Sequence, residues 1–343
     1  MEKDKIGICI IGTGRAGILH GGMFNKIPYA RLVAVVDSDE EKAQIAAKEL
    51  EVEKYYKNYQ DACNDEKIDA VCIVTPTFTH CEIAVACANA GKHIFSEKPM
   101  AITPDECDMM IESAQRNRVK LQIGFMRRFD RNFQKAKQIL DSGEIGDTVL
   151  VKSLTRGPGL PPKWYFPIET SNGLLAEVNS HDIDTLRWFA GSEFSRVYAE
   201  AGNYRCPELK ADYPDFYDNV ILNARFENGK MGMIDGACPD FYGYDSRTEI
   251  LGTKGVLFVG RINDEAVISC TKDHGVTQPI MSSWRYLFKD AYLAEDEHFI
   301  NCILNDEEPI VSGIDGKRAV EVVLAGNRSI KEGKVVNIES CCI

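Results

Sequence analysis

Short apolar runs and polar stretches rich in Ala, Lys and Glu alternate along the first third of the chain. Ile6 to Ile11 is an apolar run that stops at glycine, Arg31 to Val36 is a second that closes on Asp37, and Asp69 to Val74 is a third, ended by Thr75-Pro76. Helical patterning fills the stretches Asp39 to Leu50, His80 to Ala90 and Pro104 to Asn117. Pro104 suits a first helical turn, and Thr103 suits its cap. His93 to Phe95 and Lys120 to Phe125 read as two further strands. Buried-type strands alternating with helices predict a parallel sheet with crossover helices, and we assign it to residues 1–123.

After Phe125 the pattern changes. A helix near Arg131 to Leu140 leads to a strand at Asp147 to Leu154 and a Gly/Pro-rich loop from Gly157 to Pro162. A single helix is expected over Leu174 to Ala190. Strand-like runs follow at Arg196 to Ala201, Asn219 to Phe226, Met231 to Asp235 and Arg247 to Leu251, with hairpin turns at residues 227–230 and 252–255. Consecutive strands without intervening helices predict an α+β domain over residues 124–343, built on a large, mainly antiparallel open sheet.

Composition narrows the classes. The chain has 343 residues, enough for two cores, with 44% apolar and 27% charged positions and no biased tract. A net charge of −12 argues against nucleic acid and acidic membrane surfaces as partners, since phosphate binding needs a basic face. The twelve cysteines are scattered without a CxxC pair, which favours reduced structural thiols in a cytoplasmic protein over a disulfide framework, and no metal site is expected. The start MEKDK passes at once into a strand, so no signal peptide is expected, and no apolar run approaches membrane-spanning length.

The most specific motif is Gly12-Thr13-Gly14-Arg15-Ala16-Gly17. A G-x-G-x-x-G run is weak alone, but this one follows an apolar strand, opens a helix and is answered by Asp37 at the end of the next strand. Gly12 permits the tight turn, Gly14 lets backbone approach a pyrophosphate, and Gly17 allows close helix–strand packing; the helix start offers free N–H groups to the phosphates. Asp37 would accept from a ribose hydroxyl and repel a 2′-phosphate, which favours NAD over NADP. The first domain is thus a Rossmann, doubly wound α/β domain. Thr75 and Pro76 end a central strand at the carboxyl edge, where ligands of such sheets bind. His80 follows at a helix start, and we place it with them among the expected cofactor contacts.

Oxidising an alcohol needs a group that takes the hydroxyl proton and one that stabilises the forming alkoxide. Glu97-Lys98-Pro99 ends the strand through Phe95, so Lys98 projects at the edge where the nicotinamide belongs, with Glu97 beside it; the plain alternative is an exposed Glu–Lys pair. Glu177 and His181 stand four residues apart and would share one helix face, with Asp184 near it. A carboxylate beside an imidazole suits a proton acceptor and its relay, though an ordinary amphipathic helix with a satisfied histidine reads equally well. Arg127 and Arg128 lie among aromatics at the domain junction, suited either to a polyol or cofactor or to an interdomain ion cluster.

Taken in order, GTGRAG at 12–17, the strand ending in Asp37, VTPTFTH at 74–80, SEKP at 96–99, GFMRRFD at 124–130 and NGLLAEVNSHDIDTLRWF at 172–189 closely resemble the Gfo/Idh/MocA family of sugar and polyol dehydrogenases, in its inositol 2-dehydrogenase-like branch. EILGTKG at 249–255 and AYLAEDEHF at 291–299 extend the likeness over nearly the whole chain. The resemblance implies NAD-dependent oxidation of a ring hydroxyl, with Lys98 stabilising the alkoxide and His181 as acid/base. The family's usual aspartate four residues before that histidine falls on Glu177, a departure of one methylene. Arg127 matches a position near substrate and cofactor, and Asn179, Arg156 and Trp164 join it as expected substrate contacts. The loop 155–165 departs from the common inositol dehydrogenase pattern; Trp164 and Tyr165 either stack on a sugar ring or pack the loop on its own domain. The resemblance also implies a homo-oligomer, a dimer or tetramer formed on the open sheet. Three functions are carried forward: a dehydrogenase of a cyclic polyol or a sugar or glycoside, a redox-assisted glycosidase or lyase with tightly bound NAD, and a non-catalytic NAD or sugar sensor.

Overall fold

In the computed structural model, which describes residues 5–264 and 267–338, the chain divides into two compact units. The first comprises Met1–Phe129 and Asp290–Val320, the second Asp130–Lys289 and Glu321–Ile343. A single cut at 123/124 does not anticipate that residues 290–320 return to the first unit.

The first unit contains β1 (Ile6–Ile11), α1 (Arg15–Phe24), β2 (Ala30–Val36), α2 (Glu40–Glu49), β3 (Lys54–Tyr56), α3 (Tyr59–Asn64), β4 (Ala70–Ile73), α4 (His80–Asn89), β5 (His93–Glu97), α5 (Pro104–Asn117) and β6 (Leu121–Gly124). The strands form one parallel sheet in the order β3-β2-β1-β4-β5-β6, whose direction of growth reverses between β1 and β4. Ile8, Ile10, Val35, Cys72 and Phe95 pack with Phe24 of α1 and with Phe299 and Ile300 of the returning helix Lys289–Asn305. The expected cap of α5 is present: Thr103 Oγ1 accepts from the Glu106 amide while Glu106 accepts from the Thr103 amide, satisfying two orphan donors at once.

The second unit contains α6 (Arg131–Asp141), β7 (Thr148–Arg156), α7 (Ile168–Ser171), α8 (Gly173–Glu177), α9 (Ser180–Ala190), β8 (Phe194–Gly202), β9 (Asn219–Phe226), β10 (Met231–Ala237), β11 (Asp245–Gly252), β12 (Val256–Val259), the small ribbon β13 (Ser269–Thr271) and β14 (Gly275–Thr277), and β15 (Val336–Asn337). Seven strands form a sheet in the order β12-β11-β7-β10-β9-β8-β15. Only the β7–β10 pair is parallel, so the sheet is mainly antiparallel as expected. Both predicted turns join antiparallel neighbours, β9 to β10 and β11 to β12. One face is covered by helices: Ser153 of β7 donates to Asp182 of α9, and Leu175 and Leu222 crowd Gly326. The other face is open, with Ile221, Met231, Leu251 and Phe258 exposed beside the Lys152–Glu249 ion pair.

The cysteines of the described residues are free thiols, and Cys9 and Cys72 lie fully buried in the sheet; Cys341 and Cys342 lie outside the described residues. Among the described residues no helix is long and apolar enough to cross a membrane.

Candidate active site

The first unit assembles the expected cofactor residues at the carboxyl edge of its sheet. Gly12 has a φ of +100°, and a Cβ there would lie 2.6 Å from the Val74 carbonyl oxygen. A Cβ on Gly17 would lie 2.0 Å from the Gly12 carbonyl oxygen, so these two positions are required by packing. Gly14 differs: a Cβ there would meet no atom within 4 Å, which leaves an open approach over the start of α1. That start carries no side-chain cap, and its amides remain for an anion. Arg15 is exposed, and Thr13 and Ala16 are half-buried beside it. Thr13 donates to Asp37 Oδ2 through both its amide, at 3.0 Å, and its hydroxyl, at 2.7 Å. Asp37 is thereby fixed at the end of β2, next to the glycine turn. An open cradle of backbone donors with an acceptor-only carboxylate beside it fits a dinucleotide with a free ribose 2′-hydroxyl.

At the ends of β4 and β5 the side chains hold one another. His80 is buried, with Nδ1 2.9 Å from the Pro99 carbonyl oxygen and Nε2 2.8 Å from that of Thr75. Burial lowers its pKa, and the ring ties the Thr75-Pro76 corner to the Lys98-Pro99 corner. The ring thus links the two loop corners beside which the cofactor contacts are expected. Lys98 is half-buried at that corner, and its amide donates to Glu97 Oε2 at 2.9 Å. The Glu97 carboxylate faces inward: its Oε1 meets His20 Nε2 at 3.1 Å, and His20 Nδ1 meets Asp296 Oδ1 at 2.8 Å. This replaces the surface Glu–Lys pair that an isolated EKP suggests. Nothing in the sequence singles out His20 and Asp296; a lone histidine in an amphipathic helix carries no signal of its partners. Arg127 belongs to the first unit and is only 1% exposed.

In the second unit the expected single helix is broken. The amides of Val178 and Asn179 both turn to the Leu174 carbonyl, at 3.1 Å each, and Asn179 leaves helical geometry with ψ near 1° before Ile183 restarts the ladder on its carbonyl. Glu177 therefore ends α8 while His181 lies in the first turn of α9, and the argument that they share one continuous helix face does not hold. The cause lies in Asn179, whose fully buried amide donates to Asp182 Oδ2 at 2.7 Å and packs directly on Gly236. Asp182 in turn accepts from Ser153 at 2.5 Å, pinning the start of α9 to the sheet. His181 is buried in that first turn and Glu177 half-buried.

The loop after β7 packs on its own unit. Tyr165 and Phe166 join Cys206 and Phe216 in a separate apolar cluster, with Trp164 partly buried against it. Burial pushes the Tyr165 phenol up, and the charges of Cys238 and Glu177 add to it. Arg156 lies on the sheet's open face, where its guanidinium pairs with Asp235, while its neighbour Thr155 is buried. Among the described residues no group of three or more His, Cys, Asp or Glu side chains is placed to hold a metal.

A reversing parallel sheet, an uncapped glycine turn and a carboxylate poised at the second strand define an NAD-binding oxidoreductase. The comparisons agree in detail. Residues 6–125 match the oxidoreductase family with an NAD-binding Rossmann fold, and residues 133–258 match the GFO/IDH/MocA C-terminal domain. The chain belongs to the Gfo/Idh/MocA family. It is 34% identical over 332 residues to the myo-inositol 2-dehydrogenase of Thermotoga maritima, covering 97% of this chain and 98% of that one. It is 33% identical to the scyllo-inositol 2-dehydrogenase (NAD(+)) of Bacillus subtilis, over 98% and 97% of the two chains. The crystal structure of scyllo-inositol dehydrogenase from Lactobacillus casei with bound NAD(H) and scyllo-inositol superposes with a TM-score of 0.89 at 30% identity, over 98% of this chain and 99% of that one. The cofactor is NAD.

Proposed function

We propose that this protein is an NAD-dependent dehydrogenase that oxidises a ring secondary hydroxyl of a cyclic polyol, an inositol, to the ketone. The observation that carries this reading is end-to-end similarity to inositol 2-dehydrogenases, 34% over 97% of the chain, in a molecule that keeps Lys98 at the end of β5. NAD, when bound, supplies the hydride acceptor. Lys98 donates a hydrogen bond to the substrate oxygen and stabilises the negative charge that develops there as the C–H bond breaks. His181 takes the hydroxyl proton, and Glu177 shapes the entry to α9 beside the Tyr165 loop. The first unit binds NAD, and the second unit carries the substrate domain and the open sheet on which we propose a cytoplasmic homo-oligomer forms.

The test follows NADH absorbance with the purified chain, NAD and a panel of myo-inositol, scyllo-inositol, free hexoses and aryl glycosides. Growth with an inositol is the expected result, and Lys98→Ala is expected to lower kcat by about 100- to 1000-fold while NAD still binds. Turnover of glycosides alone would move the substrate to a sugar ring, and unchanged turnover in Lys98→Ala would remove that residue from the mechanism.

A further inference from the structure

The histidine that shares Glu97 with the Lys98 amide has an unusual setting. His20 projects from α1, is 0% exposed, and stands between the rings of Phe95, at a centroid distance of 5.0 Å, and Tyr292, at 5.3 Å. Both ring nitrogens face carboxylates, Asp296 on one side and Glu97 on the other. Burial pushes the Asp296 carboxyl up to about 6, so above that pH both carboxylates are ionised and only accept hydrogen bonds; both nitrogens then donate, and the ring that does so is the imidazolium. Burial works against that charge; Asp296 and Glu97 outweigh it and hold the imidazolium well above the ordinary histidine range. Among the described residues, Cys72, Glu295 and the phenol of Tyr292 are titratable groups buried in the same neighbourhood, Cys9 lies next to Cys72, and the Lys98 ammonium acts on Glu97. Space for the arrangement is reserved in β6, where a Cβ on Gly124 would come within 3.0 Å of the Glu97 carboxyl carbon.

A buried row of two carboxylates and one imidazolium is a weak source of stability, because each ion loses its hydration. What it does offer is direction. Glu97 has two oxygens: one is held by His20, and the other accepts the backbone N–H of Lys98. With Oε1 fixed, Oε2 has one place to be, and the Lys98 amide is held to it.

We propose that His20 is a positioning residue: clamped between Asp296 and Glu97, it fixes the Glu97 carboxylate that holds the Lys98 backbone, and so sets where the lysine ammonium projects. The proposal extends the dehydrogenase reading, on which its kinetic consequence rests, while its structural content concerns the Lys98 amide alone.

Two readouts on the full chain with NAD separate these. In amide hydrogen exchange, His20→Gln is expected to release the Lys98 amide at least tenfold while Ile94 and Phe95 of the same strand keep their protection. In turnover, the same variant is expected to lose at least tenfold in kcat with substrate KM and NAD affinity changed less than threefold. Asp296→Asn, which removes one carboxylate and keeps the ring, should move both readouts in the same direction and serves as the test if His20→Gln does not fold. Nitrogen-15 histidine spectra of the wild type should show both His20 ring nitrogens protonated at pH 8. A neutral ring at that pH, or a Lys98 amide equally protected in a folded variant, overturns the proposal. If the wild type forms no NADH with any polyol, the dehydrogenase reading fails, and exchange at Lys98 alone decides the clamp.

Discussion

Thr13 grips Asp37 twice, with its amide and its hydroxyl on the same carboxylate oxygen, at 3.0 and 2.7 Å. The glycine turn and the acidic end of β2 are therefore one unit: the loop proposed to receive the pyrophosphate also aims the carboxylate proposed to meet the ribose. The second oxygen is engaged too, accepting the Asp39 amide at 3.0 Å just before α2. A carboxylate held at both oxygens is preorganised, and in the proposed NAD site its negative charge would repel a 2′-phosphate.

Asp37→Ala should therefore weaken NAD by two routes, loss of the ribose acceptor and loosening of the Thr13 turn. Hydrogen bonds to charged groups contribute about 1.5–3 kcal/mol, so the KM for NAD should rise roughly 10- to 100-fold. Preference for NAD over NADP should fall with it, since the repelling charge is gone. Initial rates with both cofactors measure this, and an unchanged NAD KM would detach Asp37 from the cofactor.

Gly14 and Gly17 belong to one motif but do different things. Gly17 has backbone within 2.0 Å of where its Cβ would go, and Gly14 has open space. Gly17→Ala should lower the melting temperature of the chain even without NAD. Gly14→Ala should melt within about 1 °C of the wild type, as surface changes do, yet bind NAD at least tenfold more weakly, because the added methyl occupies the pyrophosphate approach. Equal losses of stability in the two variants would contradict this division.

What was legible in the sequence was whatever chemistry a short segment carries by itself. The α5 start is legible because Thr103 and Pro104, a cap and a first-turn residue, form a local signal by themselves. The glycine turn was visible because three glycines, a strand and an acid fall at set distances. The strand β3 was not seen, since three residues, Lys54 to Tyr56, are too few to show a period. The break between α8 and α9 was hidden for the opposite reason: the apolar positions continue through it, and the residue that ends the helix does so by bonding Asp182 and packing on Gly236, 57 positions away in sequence. His20 was silent because its meaning comes from Asp296, in a segment that rejoins the first unit 276 residues later.

Acid stability should carry the mark of Asp65. Its carboxylate takes a hydrogen bond from Lys54 at 2.5 Å and one from Tyr56 at 2.9 Å, and these, with the Lys67 amide, pull its pKa down to about 2. In the unfolded chain an aspartate titrates near 3.9. A folded value below the unfolded one means stability that is present above about pH 4 and lost as pH falls toward 2. Asp65→Asn removes that component, so its urea midpoint should change less than the wild type's between pH 4 and pH 2. Parallel curves for the two proteins in that window would show that Asp65 is not linked to folding.

Gly236 reserves the space in which α9 begins. A Cβ there would lie 2.0 Å from Asn179 Oδ1 and 2.7 Å from its amide carbon, and Asn179 cannot swing aside without releasing Asp182. Overpacking of this kind costs about 1–3 kcal/mol, so Gly236→Ala should lower the melting temperature by roughly 3–10 °C. His181 stands two residues beyond Asn179, in the turn that would be displaced, so turnover should fall as well. The cause can be isolated with a second substitution. Asn179→Ala removes the atoms that Gly236→Ala collides with, at the cost of a hydrogen bond to Asp182. If the clash is the mechanism, the double variant melts no lower than Asn179→Ala alone, because the methyl then enters vacated space. If the two losses simply add, Gly236 matters for β10 itself, and the start of α9 is held in place by Ser153 and Asp182 without it.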